Sequence, residues 1–263
     1  MALANVCEAR LTVCHVLDPR AYEMEEARRK AEEGLARLVA EYIPPWIAEN
    51  LVWEGLVIEG DPTVNIVQEA AERGCDLMVI ESRRRPHAAA IFGSTAEAIC
   101  RETPCPVLVI HADEHDWEGV AAGEIGLKRI LAAQDFSPAG DAASAYAAAL
   151  AQEYQTEFHL LHVAPESYPE TPGDRQFVEE QLKRTVSAET RLWCTIKPAI
   201  RTGKPADQIL AYAKEQESDL ICVGKHSAGG GLSELFGANT DRILRQAECP
   251  VLVAPAAMSA GRG

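Results

Sequence analysis

The 263-residue chain is short of positive charge: 25 Lys and Arg stand against 40 Asp and Glu, a formal net charge of −15. Nucleic acids and anionic membranes are bound through clustered cations, so this deficit argues against both as partners. The one basic run, Arg83-Arg84-Arg85, reads as a solvated loop, with an anion contact as the alternative. No apolar stretch approaches the roughly 18 residues that a membrane-spanning helix needs, and the first residues carry no charged-then-apolar leader. A soluble, cytoplasmic protein is expected. The eight cysteines form no Cys-x-x-Cys pair and lack metal-ligand spacing. Cys14, Cys75, Cys100, Cys105, Cys194, Cys222 and Cys249 sit in or beside apolar runs, where most are expected to be small buried hydrophobes in a reducing compartment.

What the chain does have is a long internal repeat. Cys105-Pro106-Val107-Leu108-Val109 recurs letter for letter as Cys249-Pro250-Val251-Leu252-Val253, and Phe92-Gly93 recurs as Phe236-Gly237, each 13 residues ahead of it. Gly60-x-Pro62 recurs as Gly203-x-Pro205, and Asp76-Leu77 as Asp219-Leu220. Ala2 to Val16 aligns without a gap on Ala149 to Val163. Repeats of 20–50 residues stack into arrays, whereas a period near 145 is a whole domain that can bury its own core. The chain therefore reads as a duplicated domain: residues 1–111, a linker over 112–126, and residues 127–257. Around its start stand His111, just before the linker, and Asp113, His115 and Asp116 within it, a set able to ligate a metal only if something rigid fixed it; a solvated linker is the plainer reading.

Within each copy short apolar runs alternate with long amphipathic ones, the pattern of a parallel sheet covered by helices. In the second copy strands are expected at 129–133, 158–163, 193–199, 220–223 and 251–254, with helices over 139–154, 173–188 and 205–215 and one that includes 240–245. The first copy repeats the order, with a helix over 21–42 stopped by Pro44-Pro45 and strands at 53–58, 77–80 and 107–110.

The segment with ligand chemistry follows the fourth strand of the second copy, from Val223-Gly224-Lys225-His226-Ser227 through Gly229-Gly230-Gly231 to Phe236-Gly237-Ala238-Asn239-Thr240. In an open parallel sheet ligands bind beyond the carboxyl ends of the strands, where strand order reverses. Glycines there let backbone approach a ligand closely or take positive φ, and a helix beginning at Gly237 offers free N–H groups to a phosphate. A ligand-free loop is the competing reading. The spacing is neither Gly-x-Gly-x-x-Gly nor Gly-x4-Gly-Lys-Ser/Thr, so dinucleotide and P-loop readings fail.

On these motifs the second copy resembles a universal stress protein domain, and the whole chain resembles a tandem member of that family. The resemblance implies an α/β fold, two repeats of a five-stranded parallel sheet in order 3-2-1-4-5 flanked by helices. Nucleotide-binding members carry Gly-x2-Gly-x9-Gly-Ser/Thr; here those positions read Gly224, Ser227, Gly237 and Ala238, so two of the four depart. Asn239 and Thr240 stand next door as replacement side-chain donors. The family's adenosine-side Asp is matched by Asp135, and the residue whose backbone meets adenine by Val163; Ala133, Val223 and His226 complete the expected set. The implied ligand is ATP, with magnesium as its companion, and Lys225 and His226 add attraction for the phosphates. Each residue also has a plainer reading: Asp135 as a helix N-cap, Val163 as core, His226 as a loop imidazole, His15 and His162 as satisfied strand histidines.

The first copy departs further. Glu81 stands where Gly224 does and Arg84 where Ser227 does; a carboxylate there repels phosphate, and Pro86 removes a donor, although Gly93-Ser94-Thr95 survives. Counterparts of Leu127 to Ala148 are absent, which removes the first strand, the site Asp and most of the first helix. Loss of this central strand is expected to split the sheet into two pairs, unless an upstream or other segment fills the gap. Three function classes remain open. One is a stress-response regulator binding one adenine nucleotide in its second copy, and another is a nucleotide-independent interaction module acting through sheet edges and helices. The third is an enzyme, at most a slow ATP hydrolase: Ser-Gly-Gly-x-Asp-Ser, His-x-Gly-His and nucleophile-elbow signatures are missing and no catalytic residue is nameable. The fifth strands are expected to pair the copies as an internal pseudo-dimer, with a homodimer as a further option.

Overall fold

The computed structural model describes residues 3–4, 7–19, 24–42, 51–82, 93–111, 125–167, 171–225 and 237–255. They form two compact units, one built on Met1–Arg73 and the other on Gly74–Asp116 with Leu127–Gly263. The division falls inside the first repeat, and the strand pairing explains why.

The first unit is a parallel pair of strands, β1 (Leu11–Leu17) and β2 (Trp53–Glu59), in register from Leu11↔Trp53 to Leu17↔Glu59. Helices α1 (Met24–Tyr42) and α2 (Pro62–Glu72) accompany it. Asp61 caps α2 by accepting from Val64 N at 3.0 Å, with Pro62 in the first turn. The core here is small, Val39 and Leu51 buried with Ala4, Leu11 and Val13 packed against them.

The second unit carries seven strands: β3 (Met78–Ser82), β4 (Val107–His111), β5 (Arg129–Ala133), β6 (Glu157–Ala164), β7 (Thr195–Thr202), β8 (Leu220–Gly224) and β9 (Val251–Ala254). Their spatial order is β3-β4-β9-β8-β5-β6-β7. Within the second repeat the sequence β7-β6-β5-β8-β9 is the expected 3-2-1-4-5 arrangement. All neighbours are parallel except β4 and β9, which pair antiparallel with Leu108 opposite Leu252 and Val107 and Val109 opposite Val253 and Val251. The repeated pentapeptide thus meets itself across a local two-fold axis, and the expected joining of the copies through their fifth strands is realised. The expected split is realised as well: β1–β2 and β3–β4 are separate pairs, and the second has joined the sheet of the other repeat.

Alternation along the strands sorts the core. Leu131, Ile221, Val223, Val251 and Val253 cluster with Ile209, Tyr212 and Ala213 of α7 (Pro205–Glu215) and Ile243 and Leu244 of α8 (Ala238–Gln246). Helix α4 (Pro138–Tyr154) packs on β5, β8 and β9. It buries Ala139, Gly140, Ala142, Ala143, Ser144, Ala147, Ala148 and Ala151, a face of small side chains that brings helix backbone close to the sheet. Helix α3 (Ser94–Glu102) precedes β4 as α8 precedes β9; each has nine residues, a glycine N-cap at φ −59° or −54°, and a C-cap N–H bonded to Ile99 O or Ile243 O. Gly60 and Gly203 repeat the same left-handed turn at φ 130° and 133°, and a Cβ there would sit 2.7 Å from Asn65 Nδ2 or 3.1 Å from Gln208 Nε2.

Some boundaries differ from expectation. The run read as a strand from Trp193 begins at Thr195, because residues 190–193 close a short helix, α6, whose first N–H bonds Ser187 Oγ at 3.0 Å. Helix α5 (Pro172–Arg184) stops four residues short of Ala188. Cys14, expected to be buried, is exposed; its counterpart Leu161 clusters with Leu131, which has no equivalent in the first repeat. Cys100, Cys105 and Cys222 are buried as expected, and burial pushes the Cys100 thiol up to about 12. No helix among the described residues is long and apolar enough to cross a membrane. No metal-binding cluster occurs among them either; His111 is buried with its Nε2 3.0 Å from Leu244 O, and 113–116 lie outside the described residues.

Candidate functional site

The carboxyl ends of β6, β5 and β8 lie side by side, and the chain order reverses between β5 and β8. This is the crevice where an open α/β sheet receives ligands. Its central feature is the turn from β5 into α4, and a residue that motif matching passed over holds it together. Gln134 is 2 % exposed. Its Nε2 donates to Asp141 Oδ1 at 3.0 Å and Ser144 Oγ at 3.1 Å, its Oε1 accepts from Phe136 N at 2.7 Å, and its own N–H reaches Leu161 O at 2.8 Å. A buried amide satisfied at both ends fixes the turn firmly.

The turn presents Asp135 outward. Its Oδ1 accepts from Ser137 N at 3.0 Å and from Ser137 Oγ at 2.5 Å. Ser137 is the true N-cap of α4, accepting from Gly140 N at 3.1 Å, so Asp135 braces the cap from outside rather than being it. Phe136 takes φ 62°, uncommon for an aromatic residue, and its ring lies 4.9 Å from that of His162, whose Nδ1 bonds Gln134 O at 2.8 Å. His162 is therefore a satisfied strand histidine. Gly140 is required as well: a Cβ would stand 2.5 Å from Gln134 Oε1 and 2.6 Å from Asp135 Oδ1. A glycine in the first turn of an alanine-rich helix was the sequence signal for it.

Of the other expected residues, Ala133 and Val163 are half-buried and pack against the main core cluster. Val223 is 4 % exposed and belongs to that core, so only its backbone faces the strand ends. Gly224 is buried, and a Cβ on it would lie 2.3 Å from both C and O of Ala139. The pressure of α4 alone demands glycine here, as for the glycine that permits close helix–strand packing in dinucleotide folds. Gly237 is half-buried at the N-cap of α8 without a side-chain cap bond, and its φ of −54° suits any residue, so the positive-φ reading of this glycine is corrected. Ala238 and Asn239 are exposed, but Thr240 is 4 % exposed, which removes it as a replacement donor and leaves Asn239. Asp241 in the first turn is held by Arg245 at 2.6 Å. His226 and Ser227 lie outside the described residues.

Lys225 behaves otherwise than expected. Its Nζ turns away to Thr103 O at 3.3 Å, the C-cap of α3 in the first repeat, where a helix end favours a cation. Burial holds its amine below the ordinary lysine range. Its charge is thus engaged in joining the repeats rather than offered to a phosphate.

Comparison with known proteins agrees with this architecture. The model of the universal stress protein family matches residues 1–111 and again 126–255. A universal stress protein of Mycobacterium tuberculosis is 25 % identical over 201 residues, covering 73 % of this chain and 65 % of the relative. The chain thus spans just under two thirds of that relative's length. A universal stress protein of Thermus aquaticus is 33 % identical over 135 residues, 48 % of this chain and 97 % of its own. The crystal structure of a universal stress protein from Archaeoglobus fulgidus superposes with a TM-score of 0.74 at 21 % identity, covering 97 % of this chain and 95 % of that one, which bears on the fold alone. With the duplicated sequence, the 3-2-1-4-5 sheet and two matches of one family model, this chain belongs to the universal stress protein family.

Proposed function

We propose that the second repeat binds one adenine nucleotide, ATP, at the crevice between β5 and β8, and that the protein serves as a stress-response regulator through the occupancy of that site. The observation that carries this reading is the β5–α4 turn: an exposed carboxylate, Asp135, bonded to Ser137 on a turn that the buried Gln134 fixes, at the point where strand order reverses. The residues fit such a ligand in kind. Asp135 offers a fixed acceptor for ribose hydroxyls, the end of β6 at Val163 offers backbone for an adenine edge, and the uncapped first turn of α8 offers N–H donors for phosphate. Magnesium would offset the phosphate charge in a chain of net charge −15.

A nucleotide-independent interaction role is the second reading. On its side stand Gly224, whose glycine the Ala139 contact already explains, and Ala238, which lacks a hydroxyl. Titration calorimetry of the full chain with ATP and magnesium separates the two. One site per chain is expected, with affinity falling about tenfold in Asp135→Ala, as for loss of a hydrogen bond to a charged group, while the fold is kept and stability falls by no more than a lost cap bond costs, about 0.5–2 kcal/mol. Two sites per chain, or unchanged affinity in Asp135→Ala, would place the ligand elsewhere; no heat at millimolar ATP would transfer the case to the interaction reading.

A further inference from the structure

Single apolar side chains on a surface are ordinary, but large ones that stand together mark places where something docks. Leu192 and Trp193 are neighbours on α6 and are 83 % and 57 % exposed. The fold does not use them to hold α6 in place. Its inward residue is the buried Thr190, whose Oγ1 lies 2.8 Å from Ser187 Oγ and whose N–H donates to that same oxygen at 3.0 Å. Cys194 N–H then closes the turn on Thr190 O at 3.1 Å. The whole stretch from α5 through α6 into β7 is described and belongs to the second unit. Leu192 and Trp193 thus stand on a fixed knuckle between α5 and β7. Its charge also runs against that of the chain. Between 183 and 197 stand Lys183, Arg184, Arg191 and Lys197 against one carboxylate, Glu189, in a chain of net charge −15. Arg184 reaches Glu180 at 3.9 Å and Lys197 pairs with Glu157 at 2.8 Å. Lys183 and Arg191 have no ion pair among the described residues. Lys183 and Arg184 complement the C-terminal end of α5; Arg191, beside Leu192, has no such account.

We propose that Arg191, Leu192 and Trp193 form a docking knuckle for an acidic polypeptide segment that carries apolar side chains between its carboxylates. Trp and Arg are the residues that most often carry binding energy at protein interfaces. Here the indole and the leucine supply apolar area to cover, and the guanidinium supplies a two-pronged bond for a carboxylate. Charge fixes the partner's sign: an acidic segment is repelled by the chain as a whole and attracted at this knuckle, which selects where it lands. An anionic bilayer fits less well, because a single turn buries too little apolar surface to lie in an interface and the net charge opposes approach. A second copy fits less well too, since two cationic knuckles set face to face repel each other. The knuckle lies at the amino-terminal end of β7, whereas the crevice lies at the carboxyl ends of the parallel strands, so the two bind without displacing one another.

The test uses the full chain and a labelled copolymer of glutamate and tyrosine as the probe. Anisotropy is expected to show saturable binding that weakens as salt is raised, while polyglutamate of the same length binds far more weakly. Trp193→Ala and Arg191→Glu should each weaken copolymer binding by about tenfold or more, as for residues that dominate an interface. Both residues are exposed, so the melting temperatures of these variants should match wild type. Leu192→Ser should act in the same direction, and Val64→Ser, at an exposed apolar residue of the first unit, should bind as wild type. The proposal is overturned if the copolymer does not bind, if polyglutamate binds as well, or if Trp193→Ala and Arg191→Glu bind as tightly as wild type. Displacement of the copolymer by phosphatidylglycerol vesicles would assign the knuckle to an anionic membrane and overturn it. A dimer in sedimentation that Trp193→Ala dissolves would assign it to a second copy and overturn it too.

Discussion

β3 and β8 derive from the same stretch of the duplicated sequence, and they differ most at the residue that meets the first helix. Gly224 closes β8 under the backbone of Ala139; Glu81 holds the matching place in β3 and is exposed. As a reading of ligand chemistry, Glu81 is a carboxylate that repels phosphate. The structure supplies an earlier cause. Glu81 is exposed, so packing does not demand glycine at its place, and a charge on a strand end discourages random pairing.

The largest test of that comparison is hydrogen exchange. Amides locked between two neighbours open only with the whole domain, on the order of 5–15 kcal/mol, whereas edge amides open locally at far lower cost. Residues 220–223 of β8 and 158–163 of β6 should therefore exchange orders of magnitude more slowly than Val79 and than 11–16 of β1. Equal protection in the free chain would mean that the open edges are filled.

Next in size is the effect of a single methyl group. Gly224→Ala places a carbon 2.3 Å from Ala139 C and O, and since backbone cannot yield as a flexible side chain does, a loss of about 1–3 kcal/mol or more follows. Glu81→Ala should change stability by no more than about 0.5 kcal/mol. Urea denaturation of both variants measures the pair; similar losses in the two would show that the helix is not what separates them.

The fold was legible because the duplication spelled out each landmark twice and because the strands are short apolar runs between capped helices. The 3-2-1-4-5 order itself came through the family resemblance, since periodicity finds strands but does not order them. The site was legible only as positions. Asp135 stands at the strand end as read, but nothing local to the sequence says that Gln134 folds back under it to Asp141 and Ser144. Nor does spacing say that Lys225 will reach across to Thr103, a contact between residues 122 apart. Gly224 and Gly237 looked alike as ligand glycines, yet one is explained by helix packing and the other has ordinary φ. Glycine alone does not tell these causes apart.

The smallest expected effect separates the repeats by pH. His159 on β6 is 1 % exposed, with Nδ1 2.9 Å from Tyr212 Oη and Nε2 3.4 Å from Glu157 Oε2; its twin in β1 is Thr12, which donates to Glu54 at 3.0 Å and does not titrate. Burial holds the imidazole below its ordinary 6.5, Glu157 pulls it partly back, and Lys197 and Arg129 oppose protonation, while Arg201 lies over the Tyr212 ring. A histidine depressed in the folded state contributes stability that is whole above the unfolded value of about 6.5 and is lost as pH falls from there toward the folded value. The slope is at most about 1.4 kcal/mol per pH unit, because one proton is taken up on unfolding. Glu157, held low by Lys197 and then His159, gives up its share only at more acidic pH. Urea midpoints taken between pH 7.5 and 5.5 should therefore fall for the wild type, flatten in His159→Gln, and keep the wild-type slope in Thr12→Ala. A slope that survives His159→Gln would move the acid sensitivity out of this cluster, and with it this difference between the two repeats.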